Sequence, residues 1–202
     1  MTDFGFYLVI TNPAVGYAKC AEAAVRAGVK IIQLRMKHAS REEILREARE
    51  MRRVTAGTET LFIVNDDPSI AAEVGADGVH VGQGDMAPDE VRARYPELRI
   101  VGLSTHNLDQ VRASWDQPID YIGVGPVYAT PTKDIPDPTL GPEMAGRMIA
   151  AARVPAVAIG GINAETLSPV LAAGARNFAV VRAVCQSPDP YSAIRKLVEI
   201  HA

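Results

Sequence analysis

The stretch Tyr121-Ile-Gly-Val-Gly-Pro-Val-Tyr-Ala-Thr-Pro-Thr-Lys133 is the one around which the chain is organised. It begins as a buried strand and ends as a polar loop. Ile122 and Val124 suit a strand, and Gly123 and Gly125 leave room above it. Pro126 stops regular pairing, since it has no N–H for a ladder. Thr130, Thr132 and Lys133 follow within four positions. Two hydroxyls and an ammonium can together hold a phosphate. Taken alone, the same residues also suit an ordinary surface loop.

The pattern of an apolar run, a stop and a helix recurs outward from this stretch. Strands are predicted over Phe6–Thr11, Val29–Arg35, Thr60–Asp66, Gly78–Gly82, Ile100–Ser104, Tyr121–Gly125, Ala156–Gly160 and Phe178–Arg182. Between and after them helices are predicted over Ala18–Ala27, Arg41–Thr55, Pro68–Val74, Pro88–Arg94, Leu108–Ser114, Pro142–Ala152, Ala164–Ala173 and Pro190–His201. Uninterrupted apolar strands need cover on both faces, as in a parallel sheet wrapped by helices. Eight such units in 202 residues predict an α/β chain forming a single (β/α)8 TIM barrel, one domain over 1–202. Ser40-Arg-Glu-Glu43 reads as a capping box. Gly28 and Gly174 follow helix ends, where glycine takes the left-handed conformation cheaply. A doubly wound open sheet fits less well, because no G-x-G-x-x-G follows the first strand.

Bulk properties narrow the function. The net charge is −3, with no basic run, so nucleic acid is not an expected partner. The N-terminus lacks a signal-peptide pattern, and no segment approaches the ~20 apolar residues of a membrane span. Cys20 and Cys185 lack metal-ligand spacing and form no disulfide framework. A cytoplasmic location is expected, with no membrane partner.

In such a barrel the chemistry sits at the C-terminal ends of the strands. Alternation after strand two puts Gln33, Arg35 and Lys37 on one side, where a guanidinium and an ammonium can converge on an anion. Strands three and four end in Asp66 and Asp85. Two carboxylates facing one pocket repel unless a proton or cation lies between them. Oxygen ligands that leave positions open suit Mg²⁺ held partly by substrate phosphates. Asp66 could instead cap the next helix, but Asp67, just before Pro68, is better placed to do so. Ser104 offers a hydroxyl after strand five. His106 has no carboxylate partner placed by sequence, and His80 reads as a core or wall residue. After strand seven, Gly160 and Gly161 let backbone N–H groups approach an anion. The mouth thus holds two expected anion sites. Arg35, Lys37 and Lys133 with the carboxylate pair suit a diphosphate, while Gly161, Arg182, Thr130 and Thr132 suit a monophosphate.

The ordered motifs Gln33-Leu34-Arg35-Met36-Lys37, Asn65-Asp66-Asp67, Gly82-Gln-Gly-Asp85, Gly102-Leu-Ser104-Thr-His106, Gly123-Val-Gly-Pro126, Thr130-Pro131-Thr132-Lys133 and Gly160-Gly161-Ile162 resemble the thiamine phosphate synthase family. The resemblance implies a transferase coupling 4-amino-5-hydroxymethyl-2-methylpyrimidine diphosphate to 4-methyl-5-(2-phosphooxyethyl)thiazole, with release of pyrophosphate. It implies that Arg35, Lys37, Ser104 and Lys133 are catalytic. Gln33, Leu34, Arg35, Met36, Lys37, Asn65, Ser104 and Lys133 would bind the pyrimidine diphosphate. Thr130, Pro131, Thr132, Gly161, Val181 and Arg182 would surround the thiazole phosphate. Asp66 and Asp85 would hold Mg²⁺, and the protein would be a homodimer. Gly84 stands where the family often has Glu, and Arg182 where many members have Ser. The alternatives are a thiazole tautomerase on the same barrel, or a non-catalytic barrel that binds phosphate ligands.

Overall fold

A computed structural model describes residues 3–132 and 138–201. Its strands are β1 (Phe6–Ile10), β2 (Ile31–Leu34), β3 (Leu61–Asn65), β4 (Gly78–Val81), β5 (Ile100–Thr105), β6 (Tyr121–Val124), β7 (Ala156–Ile159) and β8 (Asn177–Val180). They form a closed parallel barrel in sequence order. Closure brings β1 beside β8, with Phe6 opposite Phe178. The helices are α1 (Tyr17–Arg26), α2 (Arg41–Thr55), α3 (Pro68–Glu73), α4 (Pro88–Arg94), α5 (Leu108–Ala113), α6 (Gly141–Ala151), α7 (Leu167–Ala172), α8 (Arg182–Cys185) and α9 (Pro190–His201).

Strand alternation sorts the apolar residues into two layers. Tyr7, Val9, Ile31, Ile63, Tyr121, Val157 and Ala179 fill the barrel. Phe6, Leu8, Ile10, Ile32, Leu34, Phe62 and Val64 point outward and pack under the helices. Strands buried on both faces therefore carry no polar alternation to mark them.

Local signals place most helix starts. Ser40 and Glu43 form the reciprocal capping box of α2. The Asp67 carboxylate accepts from Ser69 N and Ile70 N and caps α3, with Pro68 next to it. Asn107 caps α5 by accepting from Gln110 N. Two sequence expectations need correction. The eighth strand ends at Val180, and Arg182 opens the short helix α8 instead of closing the strand. The backbone turns at Val181, whose φ −120° and ψ −85° lie outside the strand region. Helix α7 starts at Leu167, later than expected. Asn163 Oδ1 holds Glu165 N and Thr166 N, and Thr166 Oγ1 donates to Gly161 O, so the preceding segment closes as a side-chain-bonded turn.

Candidate active site at the barrel mouth

The loops after the strands enclose a cavity of about 470 Å³. Gln33, Arg35, Asn65 and Ser104 line one side of it, and Thr130, Pro131, Thr132, Gly161, Val181 and Arg182 line the other. These ten expected site residues are thus brought to one space. Leu34 is not: its side chain is buried in the outer layer, and Met36 packs against that layer too. Only their backbone groups can serve the mouth. Lys133 lies outside the described residues.

Asp66 follows β3 with φ 66°, in the left-handed region that Asp tolerates better than most residues. Its backbone N–H donates to His80 O. Its carboxylate is ion-paired with the Lys37 ammonium. Burial pushes the Asp66 carboxyl above its ordinary value; the hydrogen bond from Lys37 opposes this, and the nearby Asp85 carboxylate adds to the rise. Asp85 stands close enough to Asp66 for the two carboxylates to act on each other electrostatically. Its own Oδ2 accepts from Gly82 N at 2.7 Å, which turns the β4 loop back on itself. A Cβ on Gly82 would lie 3.1 Å from that oxygen. Lys37, expected to face an anion with Arg35, thus has a carboxylate partner within the protein.

Two adjacent carboxylates and no third acidic, His or Cys ligand make an open oxygen site among the described residues. That donor set suits Mg²⁺, which keeps waters and shares substrate phosphates, and does not suit a closed Zn²⁺ site.

The opposite side is built by backbone contact. Val127 N donates to Ile159 O at 2.8 Å, and Tyr128 N to Gly160 O at 3.0 Å. The loops after β6 and β7 therefore meet main chain to main chain. Gly160 has φ 106°, and Gly161 has φ 65°. A Cβ on Gly161 would fall 2.7 Å from Tyr128 Cβ, so nothing larger than hydrogen fits there. Thr130 Oγ1 and Thr132 Oγ1 are 2.9 Å apart, aligned on one edge of the cavity. Arg182 lines the cavity from the exposed start of α8.

Two contributors, Tyr7 and Tyr121, escape the sequence reading, and a third, His80, reads there only as a core or wall residue. Tyr7, Tyr121 and His80 line the cavity from inside the barrel. Tyr121 Oη is 2.9 Å from His80 Nδ1, and His80 Nε2 is 2.9 Å from Ser104 Oγ. His80 is a wall residue, as read, but a wall residue joined to an expected site residue. The signal for it was inward parity along β4. His106 Nδ1 lies 2.6 Å from Gly125 O, which seats the ring on the β6 loop.

Comparison with known proteins agrees with this geometry. The family described as thiamine monophosphate synthase matches residues 6–184. A thiamine-phosphate synthase of Caldicellulosiruptor bescii is 43% identical over 173 residues, which are 86% of this chain and 77% of that protein. A Synechococcus thiamine-phosphate synthase is 44% identical over 179 residues, 89% of this chain, and this chain spans 50% of that protein's length. A thiamine phosphate pyrophosphorylase structure from Pyrococcus furiosus superposes with a TM-score of 0.89 at 29% identity, covering 98% of this chain and 96% of that one. By sequence and by fold, the chain belongs to the thiamine monophosphate synthase family, whose named relatives are transferases.

Proposed function

We propose that this barrel joins the pyrimidine diphosphate to the thiazole phosphate by a dissociative, Mg²⁺-assisted reaction. The observation that carries the reading is the close approach of Asp66 and Asp85, in the turns after β3 and β4, at the barrel end whose cavity is lined by Arg35, Asn65, Gly161 and Arg182. A diphosphate and a monophosphate can then occupy opposite sides of one space. Mg²⁺ held by Asp66 and Asp85 would neutralise charge on the departing pyrophosphate. Arg35 and Lys37 add positive charge on the same side, Lys37 after exchanging Asp66 for phosphate oxygens. Lys133 belongs to the same group by its place in the sequence. Gln33, Asn65 and Ser104 orient the pyrimidine.

The carbon–oxygen bond breaks with its electron pair going to pyrophosphate. The thiazole nitrogen then gives its lone pair to the pyrimidine-methyl cation. Thr130, Thr132, the Gly161 N–H and Arg182 hold the thiazole phosphate so that the nitrogen faces that carbon. Alignment of the two reactants is a large part of such catalysis. The apolar wall of Val157, Ala179 and Ile159 helps keep water from capturing the cation. In this reading the chain works as one domain over 1–202, as a homodimer and in the cytoplasm; light scattering reads the dimer.

Incubating the protein with both substrates and Mg²⁺ tests the function. Thiamine phosphate and pyrophosphate in equal amounts are expected. A folded sample that releases no pyrophosphate would favour the tautomerase or the non-catalytic barrel.

A further inference from the structure

Five polar side chains inside the barrel form one hydrogen-bonded line. Gln33 Nε2 donates to Tyr7 Oη at 2.8 Å. The Tyr7 and Tyr121 oxygens are 2.9 Å apart. Tyr121 Oη, His80 and Ser104 Oγ continue it at 2.9 Å and 2.9 Å. The line needs a glycine on β5: a Cβ at Gly102 would fall 2.2 Å from Tyr121 Cζ and 2.5 Å from His80 Nδ1. The Tyr121 and His80 rings stack with centroids 5.4 Å apart, which holds the imidazole plane.

Counting hydrogens gives the line a direction. The Gln33 amide is assigned with its nitrogen on Tyr7, and an amide nitrogen only donates. Burial pushes both phenols above their ordinary values, so each keeps its single hydrogen. Tyr7 is buried and has no other acceptor among the described residues, so it donates to Tyr121. Tyr121, buried likewise, then donates to His80 Nδ1. That selects the Nε2–H tautomer, and Nε2–H donates to Ser104 Oγ. The Ser104 hydrogen is left for the cavity that Ser104 lines. Bonds aligned in one direction polarise one another and strengthen the last donor.

We propose that His80 is a positioning residue that makes Ser104 a hydrogen-bond donor to the substrate, selecting a heteroaromatic ring with an acceptor nitrogen at that point. The inference rests on the assignment of the pyrimidine diphosphate to Ser104. Ser104 alone could present either an oxygen or a hydrogen; with His80 occupying one lone pair, the hydrogen is directed outward. Gln33 sits at the start of the line and on the cavity wall, so the group that sets the direction also meets the ligand.

Nitrogen-15 NMR of the imidazoles in the wild-type protein tests the direction without substrate. His80 with a bare Nδ1 and a protonated Nε2 is expected. A protonated Nδ1 would overturn the proposal. A double-mutant cycle tests the role. His80→Phe is expected to lower kcat/KM for the pyrimidine diphosphate about tenfold, the loss of roughly 1.4 kcal/mol for one such hydrogen bond, and to leave KM for the thiazole phosphate unchanged. Ser104→Ala with His80→Phe should be no worse than Ser104→Ala alone within about twofold. Multiplying effects, or equal losses for both substrates, would make His80 merely structural and overturn the role. Tyr121→Phe keeps the ring and removes one link, so it should shift activity the same way by less; no shift at all also counts against the line. A wild-type protein that couples nothing would sink the reading on which this rests, whereas coupling with the other tautomer sinks His80 alone.

Discussion

On the β2–β5 side of the mouth the strand ends carry charge, with Arg35 on the cavity wall and Lys37, Asp66 and Asp85 in the adjoining turns, beside the uncharged Gln33, Asn65 and Ser104. On the β6–β8 side they are backbone and hydroxyl groups, Gly160, Gly161, Thr130 and Thr132, with Arg182 the one cation lining the cavity there among the described residues. The first side gains its character from charge pairing and burial, as the raised Asp66 carboxyl and its Lys37 partner illustrate. The second gains it from main chain brought so close that a Cβ has no room. Charge should therefore be the variable that breaks the first side, and shape the variable that breaks the second.

The largest effect is expected from removing either carboxylate. Asp66→Ala and Asp85→Ala should each lower Mg²⁺-dependent kcat/KM more than about 100-fold, because the charge stabilisation a metal supplies is worth several kcal/mol. Circular dichroism should show the barrel intact. Chelation should produce the same loss in the wild type and be reversed by Mg²⁺. Full activity in both variants would remove the metal from the mechanism.

Gly161→Val comes next and addresses shape. The position has φ 65°, and its Cβ would meet Tyr128 at 2.7 Å. Strain of about 1–3 kcal/mol should displace the β7 loop and raise KM for the thiazole phosphate roughly tenfold or more. KM for the pyrimidine diphosphate should hold. A matching rise for both substrates would erase the division between the two sides.

Arg182→Ser separates charge from shape on the second side. A guanidinium–phosphate hydrogen bond is worth roughly 1.5 kcal/mol, so KM for the thiazole phosphate should rise about tenfold. An unchanged KM would mean that backbone N–H groups alone hold the anion there.

The smallest effect is a control on the scaffold that both sides share. Ser40→Ala should lower Tm by about 2–4 °C, the shift that loss of a cap makes in a chain of this size, without changing either KM. The Glu43 carboxyl is held below its ordinary value by the Ser40 N–H, then by the Ser40 hydroxyl. Its contribution is therefore present above the unfolded value and disappears as pH falls through the lower folded one. The N–H survives in Ser40→Ala, so only the hydroxyl's share differs, and the Tm gap between wild type and variant should narrow slightly on acidification; a widening gap would contradict that sign.

Charged residues at strand ends are visible in a sequence, so Arg35, Lys37, Asp66 and Asp85 could be named before any coordinates. Inward-facing aromatic and imidazole groups are not, because Tyr7, Tyr121 and His80 sit in runs that read as core. Leu34 shows the converse: it lies within the Gln33–Lys37 motif, yet alternation sends its side chain under the helices. Arg182 reads as the end of a strand because Phe178–Val181 is apolar and carries no break; only the backbone turn at Val181 marks the start of α8.

The eightfold alternation, the caps at Ser40 and Asp67, and the glycines that end helices all follow from the sequence alone. Period, cap and turn are all local, fixed by residues within a turn or two of one another. Only the tertiary structure decided that Lys37 pairs with Asp66, that Asp85 approaches it, and that Gly161 lies under Tyr128. Pairing of β4 with β5 also joined His80 to Ser104. These partners come from neighbouring strands and the loops after them, and their side chains meet only when the strands pair in register and parity sets which of them face inward.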